Sequence, residues 1–263
     1  AGAPEGARRD LPRAPAIAAG WQMGVPDLEL RLPSYTLSAD GADVFRIFVA
    51  PIPVDRLRFV RGFEFRPGGR GVHHATIRVD RTPASRLRDE ADPAAGYDGL
   101  LAYSASYPDG HFLGWSPGQL APFLPRGLAW RLEPGTDLVV ELHMQPGGKP
   151  ETIEPTIGLF FGADPPARTP TMLRLGRQTF EIPAGERRYT VTDAFELPVD
   201  VDALAVQPHA HDLAREVEAV AVLPGGSTRT LLVIRDWDFR WQQVYRFVEP
   251  VPLPRGTRVE MRF

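Results

Sequence analysis

Proline and glycine interrupt this chain along its whole length, and they constrain its fold more than any other feature of the sequence. The 263 residues include 28 prolines and 25 glycines, which are spread along the chain. Because proline removes a backbone donor and ends or kinks a helix, long helices are excluded, and no window shows an apolar period of 3.6 over ten residues. The segments 44–51, 57–67, 72–80 and 137–146 mix β-branched and aromatic residues and close at Pro or Asp. The sequence therefore predicts an all-β protein of many short strands.

The chain divides by composition into an arm and two halves. Residues 1–20 are rich in Ala, Pro, Gly and Arg without periodicity, which is typical of a linker or of an arm laid on a surface. We predict one β-sandwich over residues 21–167 and a second over residues 168–263. The turn at 133–136 is echoed at 254–257, which fits either an internal duplication or two similar turns. The sequence stops inside what reads as a strand, so we expect the second sandwich to be truncated at its C-terminus.

Composition excludes several classes of protein and site. The formal charge of -3 argues against a basic nucleic-acid-binding protein. No run of 18 apolar residues is present, so no transmembrane span is expected in this chain. The absence of cysteine excludes disulfides, thiolate zinc sites, iron–sulfur clusters and covalently attached haem.

Four of the six histidines stand in close pairs, a pattern typical of metal ligands. His73 and His74 are adjacent, and His209 and His211 form an H-x-H pair. Residues i and i+2 of a strand point to the same face, so the H-x-H pair can direct two imidazoles at one point. An adjacent pair points to opposite faces unless a strand end or a β-bulge breaks the alternation. The glycine-rich stretch 67–71 permits such a break just before His73.

The surroundings of the remaining candidate residues leave more than one interpretation. His143 lies in an apolar strand, where a single histidine is either a satisfied core residue or a ligand. His111 follows the turn 108–110, which predicts a surface position. Asp212 could orient His211 or lie in a solvated turn. Trp241 is predicted to be a core or sheet-face aromatic.

The ligand types narrow the choice of metal. Neutral imidazole suits zinc, copper, iron and nickel, and no H-E-x-x-H motif is present. A site made of histidines alone on β structure, with an optional thioether, favours copper. Three histidines and a water also describe a zinc hydrolase site, although no glutamate adjoins the histidines to act as its base. The methionines that could supply a thioether are not assignable from sequence: Met23, Met144, Met172 and Met261.

These motifs together give the chain a resemblance to a known family. It resembles the copper type II ascorbate-dependent monooxygenases, the group of peptidylglycine alpha-hydroxylating monooxygenase and dopamine beta-monooxygenase, and most closely their bacterial branch. The resemblance covers residues 20–263 and is carried by VHHATIRVD, DLVVELHMQPGGKPE, VQPHAHDLAREVEAVAVLPGG and RDWDFRWQQVYRFVEPVPLPRGTRVE. In that family an adjacent histidine pair and a later histidine hold one copper, and an H-x-H motif holds a second. The resemblance therefore implies copper at His73, His74 and His143, and a second copper at His209 and His211.

The resemblance also carries expectations about fold and activity. It implies two tandem jelly-roll-like antiparallel β-sandwich domains. It implies O2-dependent hydroxylation of a C–H bond, with electrons from ascorbate or another small-molecule reductant. The copper at His209 and His211 would serve oxygen activation, and the other copper would store and pass an electron. The family's second copper also has a methionine ligand beyond the strand that ends this chain, so the second site is expected to be incomplete.

Two alternatives to the monooxygenase remain open. A non-catalytic subunit could keep the same fold and dock on a larger extracytoplasmic or membrane complex through the 1–20 arm, which would account for the missing methionine. A zinc hydrolase is the other. For the monooxygenase and for the non-catalytic subunit we expect a periplasmic or otherwise extracytoplasmic location, because the bacterial relatives that the chain resembles often occur in large secreted proteins.

Overall fold

The computed structural model of the chain describes residues 20–100, 102–119, 121, 123–177, 179–211, 213–239 and 241–263. Its regular structure is nearly all β, which confirms the predicted fold class. The predicted arm lies outside the described residues, apart from residue 20. The elements of the described part are β1 (Leu28–Arg31), β2 (Tyr35–Leu37), β3 (Val44–Pro51), β4 (Arg58–Arg66), β5 (Val72–Asp80), α1 (Ala84–Ala91), β6 (Tyr97–Asp98), a 3-10 turn (Pro108–Gly110), β7 (Leu113–Trp115), β8 (Trp130–Leu132), β9 (Asp137–Met144), β10 (Glu151–Ile153), β11 (Thr156–Gly162), β12 (Thr192–Glu196), β13 (Val201–Val206), β14 (Val217–Val222), β15 (Thr228–Ile234), β16 (Tyr245–Leu253) and β17 (Arg258–Arg262).

The strands up to β11 form an antiparallel β-sandwich. One sheet has the order β1-β11-β4-β8, the other has the order β6-β3-β9-β5-β7, and β2 and β10 form a separate pair. A continuous apolar core fills the space between the two sheets, with Phe48, Val60, Ile77, Trp130 and Leu142 among its fully buried side chains. Burial of this core is the main free-energy term that favours the fold.

Strand β9 is buried along its whole length, which explains why its sequence does not alternate between apolar and polar residues. Because successive side chains point to opposite faces, Val140 and Leu142 enter the core between the sheets. On the other face Val139 packs into a second apolar cluster. Glu141 and His143 share that outer face with Val139, so the end of this face is where β9 presents its histidine.

The strands after β11 form a four-stranded antiparallel sheet with the order β12-β17-β14-β15 and a two-stranded one with the order β13-β16. Leu197, Ala221 and Leu253 are the buried centre of the apolar cluster that these strands form. In the described part of the chain, each sheet takes its strands from one half only. The jelly-roll assignment and the boundary at residues 167 and 168 stay predictions.

The two halves follow the same order of strands. In the first half β3, β9, β5 and β7 lie side by side, while β4 and β8 pair in the opposite sheet. In the second half β12, β17, β14 and β15 lie side by side, while β13 and β16 pair elsewhere. The two histidine pairs therefore lie near the same point of the pattern: His73 and His74 are at the start of β5, which follows β4, and His209 and His211 lie in the loop before β14, which follows β13.

The echoed turns noted in the sequence have the same backbone geometry. Gly135 and Gly256 have φ of 78° and 81°, in the left-handed region that favours glycine. The carbonyl of Thr136 accepts the N–H of Ile52 at 3.2 Å, and the carbonyl of Thr257 accepts the N–H of Leu197 at 2.8 Å. Each turn thus ties the last strand of the shared pattern, β9 or β17, to the residue that follows the first strand of that pattern.

One helix was not expected from the sequence. The helix α1 has eight residues, about two turns, which is too short to display the helical apolar period that the sequence lacks. None of the described helices is long and apolar enough to cross a membrane.

Candidate metal centre

A β-bulge brings the adjacent histidines to one side of β5. His74 is the ladder partner of His143, and Val72 is the partner of Met144, so His73 is the residue inserted by the bulge in β5. A bulge breaks the alternation of side chains at the inserted residue. Both imidazoles of the adjacent pair can therefore approach His143.

The three imidazoles converge through the same ring nitrogen. The Nδ1 atoms of His73 and His74 are 3.1 Å apart, those of His73 and His143 are 3.2 Å apart, and those of His143 and His74 are 3.4 Å apart. A tetrahedral ion bound at about 2.0–2.1 Å holds neighbouring nitrogen ligands about 3.3–3.4 Å apart. A square-planar ion would need one of the three pairs about 4 Å apart. The three nitrogens therefore suit three corners of a tetrahedral site and leave one corner for another ligand.

The environment of the site favours the neutral imidazole that binds metals. Burial, together with the nearby His143, His73 and His209, lowers the pKa of His74 to about 4. His74 is therefore unprotonated at neutral pH. The side chain of His143 is 3% exposed, so it is almost fully removed from water.

His143 is held on two sides by residues from neighbouring strand ends. Its Nε2 lies 2.7 Å from Oδ2 of Asp43, and the same carboxylate oxygen accepts the side-chain amide of Gln145 at 3.0 Å. The ring of Phe45 stacks on the imidazole with centroids 4.3 Å apart and planes 12° apart. Hydrogen bonds from Gln145 and His143 hold the pKa of Asp43 below its ordinary value.

His209 and His211 lie together in the loop that precedes β14. Their ring centroids are 5.4 Å apart and their planes are nearly perpendicular. Nδ1 of His209 is 2.6 Å from Oε1 of Gln242, and the amide of Gln242 donates to the carbonyl of Phe239 at 2.8 Å. Since an amide oxygen only accepts, Nδ1 of His209 carries the proton and Nε2 is its available lone pair.

In the part of the chain that the structure describes, no third His, Asp or Glu side chain joins His209 and His211 in a metal-ligand group. Asp212 lies outside the described residues, so its predicted role stays a prediction. The nearby side chains of His209 and His74 interact electrostatically, because His209 is one of the causes that lower the pKa of His74. His209 is therefore close enough to His74 to contribute to its lowered pKa.

Two sequence predictions near the site are wrong. His111 was predicted to be at the surface, but it is 5% exposed and its Nδ1 lies 3.1 Å from the carbonyl of Pro108. Asp109 of the preceding turn has φ of 45°, a bend that turns the chain so that His111 is covered. Trp241 was predicted in a core or on a sheet face, but it is 54% exposed because it lies in the loop before β16.

Sequence reasoning missed Asp43, Phe45, Gln145 and Gln242. The sequence of 44–51 and 137–146 indicates two strands, but it does not indicate that they pair. The pairing of β3 with β9 is what brings Asp43 and Phe45 to His143. Gln145 follows His143 by two residues, and this spacing, which puts both side chains on the same face of a strand, is the one signal in the sequence that could have linked them. No protein-family model matches the chain, and no curated protein matches it either.

Proposed function

We propose that this chain is a copper-binding, monooxygenase-like protein that binds copper at His73, His74 and His143. The observation that carries the proposal is the approach of three Nδ1 atoms to within 3.1–3.4 Å of one another. Imidazole is a common ligand of copper, and the sequence resemblance favours copper over the other metals that imidazole binds. We propose a second, incomplete copper site at His209 and His211.

The proposed reaction inserts one atom of O2 into a C–H bond of the substrate and releases the other as water. It consumes two electrons from ascorbate or another reductant and two protons from the reductant or the solvent. Bound copper would supply the one-electron redox chemistry. His73, His74 and His143 would hold the ion through their Nδ1 lone pairs, and Asp43 and Phe45 would orient His143. At the second site, Gln242 leaves Nε2 of His209 as the nitrogen that can bind.

The nearness of the two histidine groups supports the division of roles that the resemblance implies. Electron transfer between two sites requires that they lie near each other, and His209 lies within electrostatic reach of His74. We propose that the chain acts in the periplasm or another extracytoplasmic compartment, which rests on the resemblance alone.

The first experiment is the metal content and intact mass of natively purified protein, followed by O2 consumption with ascorbate. Bound copper with ascorbate-dependent O2 uptake that His143→Ala abolishes would support the proposal. Bound zinc without redox activity would favour a zinc hydrolase instead. A protein that binds neither metal, even after titration with Cu(II), would reject the proposal.

A second candidate function is a non-catalytic subunit of a larger extracytoplasmic or membrane complex. The observation that favours it is the second histidine pair, which has two imidazoles and no third His, Asp or Glu ligand within the described ranges. Soft thioether ligation is what favours Cu(I), so a pair of imidazoles alone would bind it less well. Copper bound at the first site without any O2 uptake, together with co-purification of membrane components, would favour this candidate.

A further inference from the structure

Asp43 contacts the candidate metal centre from outside its three ligands. Its Oδ2 lies 2.7 Å from Nε2 of His143, on the opposite side of the ring from the nitrogen that faces His73 and His74. The side chain of Asp43 is 43% exposed, while that of His143 is 3% exposed. The carboxylate therefore lies at the surface end of a contact that leads directly to a buried ring.

The chemistry of this contact determines the tautomer of His143. An ionised carboxylate can only accept a hydrogen bond, so Nε2 of His143 must carry the proton. A neutral imidazole with a proton on Nε2 has its lone pair on Nδ1. In His143 that lone pair faces the Nδ1 atoms of the other two histidines, which is the arrangement that a metal requires.

The strands fix the position of the carboxylate as well as its partner. Asp43 immediately precedes β3, in which Phe45 is the ladder partner of His143. Gln145 follows the end of β9 and donates its side-chain amide to the same oxygen of Asp43 at 3.0 Å. The stacked ring of Phe45 restricts rotation of the imidazole, with centroids 4.3 Å apart. Two adjacent strand ends thus set both the direction and the plane of the His143 ring.

We propose that Asp43 is the positioning residue of this centre, which holds His143 as the Nε2–H tautomer and directs its Nδ1 toward the ion. The proposal deepens the proposed function and rests on it for the ion, but the tautomer is a property of the metal-free protein. Partners of this kind raise the basicity of a ligating histidine, and their loss typically lowers metal affinity about 10- to 100-fold.

The first test is the tautomer of His143 in metal-free protein, measured by two-bond ¹⁵N–¹H correlation of the imidazoles. The parent protein is expected to show His143 with its proton on Nε2. Asp43→Ala is expected to shift His143 toward the Nδ1–H form or toward exchange between the two. The matched control is Asp40→Asn, because Asp40 is an exposed aspartate three residues away. His143 unchanged in Asp43→Ala would overturn the proposal.

The second test is affinity for Cu(II), measured by competition with a chelator of known affinity. Asp43→Asn keeps the shape of the side chain but removes its charge, and it is expected to raise the Kd about 10- to 100-fold. Asp43→Glu is expected to recover part of the loss, and Asp40→Asn is expected to bind like the parent. Equal affinity in Asp43→Asn and the parent would overturn the role of Asp43 at the ion.

The two tests separate this inference from the proposed function. If the parent protein binds no Cu(II) but Asp43→Ala still changes the tautomer of His143, the proposed function fails while the positioning of the ring by Asp43 stands. Thermal unfolding of each variant checks that the fold is retained. Asp43→Leu, which is similar in size to aspartate but has no hydrogen-bond acceptor, replaces Asp43→Ala in the first test if the latter does not fold.

Discussion

His74 and His143 face each other across neighbouring strands, and their Nδ1 atoms lie 3.4 Å apart. The contact depends on the register of β5 with β9, because a shift of one residue would turn one of the two side chains to the opposite face. His73 joins them through the bulge at the same ladder position. The geometry of the candidate centre therefore depends on the strand register of the sheet.

Removal of a ligand from one histidine group should leave the other group intact. We expect His143→Ala to weaken copper binding at the first site by more than about 100-fold, since the loss of an outer partner alone costs about 10- to 100-fold. His209→Ala should still bind copper at the first site and should lose the second, more weakly bound copper ion. Elemental analysis and Cu(II) titration of both variants provide the measurement. Loss of the same, tighter-binding copper in both variants would contradict the assignment of two groups.

Metal binding should stabilise the fold. A ligand that binds only the folded state at 1,000 times its Kd contributes about 4.1 kcal/mol, so excess Cu(II) should raise the Tm by several degrees. A chelator should reverse the shift, and His143→Ala should show little of it. Differential scanning fluorimetry gives the comparison. A shift of equal size in His143→Ala would show that the metal binds elsewhere.

The acid stability of the first half should depend on Asp80. This carboxylate is fully buried and accepts hydrogen bonds from Ser104, Ser85 and the backbone and side chain of Thr82. Burial alone would raise the pKa of Asp80, but these hydrogen bonds outweigh it and hold the pKa well below its ordinary value. Because the folded-state pKa is depressed, its stabilising effect is complete above the unfolded value near 3.8 and is lost as the pH falls toward the folded value.

We therefore expect Asp80→Asn to lower the free energy of unfolding at neutral pH by about 3 kcal/mol, because charge-assisted hydrogen bonds are lost in a buried site. The difference from the parent should be constant above about pH 5 and should shrink below about pH 4. Urea unfolding at a series of pH values measures it. Asp55→Asn is the control, since Asp55 is exposed. A difference that persists unchanged into acid would contradict the argument.

Gly68 should tolerate no side chain. Its φ is 68°, and a Cβ there would lie only 2.0 Å from the carbonyl oxygen of Glu154. We expect Gly68→Ala to destabilise the protein by at least about 2 kcal/mol, because both the backbone conformation and a backbone contact oppose it. Gly147→Ala is the control, because a Cβ at Gly147 meets open space. Equal Tm values for the two variants would refute the prediction.

The strand content could be read from the sequence because proline, glycine and β-branched residues determine it locally. The helix α1 could not, because eight residues cover about two turns and its Leu87 points to solvent. The buried position of His111 could not be predicted from the sequence either. It depends on the positive φ of Asp109, which sequence alone does not reveal for a non-glycine residue.

The candidate ligands could be predicted in part because adjacency and H-x-H spacing are local patterns. The sequence also indicated that either a strand end or a bulge would be needed for His73 and His74 to act together, and the structure has the bulge. The partner of His143 could not be anticipated. Asp43 is 100 residues away from it, and only the pairing of β3 with β9 brings the two together.

The shared order of strands has a consequence for engineering. In the first half a histidine pair lies at the start of the third strand of the common pattern, in the second half a pair lies in the loop before that strand, and in both halves the turn before the last strand of the pattern closes in the same way. A chimaera that carries residues 67–74 in place of 207–216 would join strands already arranged to receive them, and would reveal how much of the metal preference resides in the loop itself.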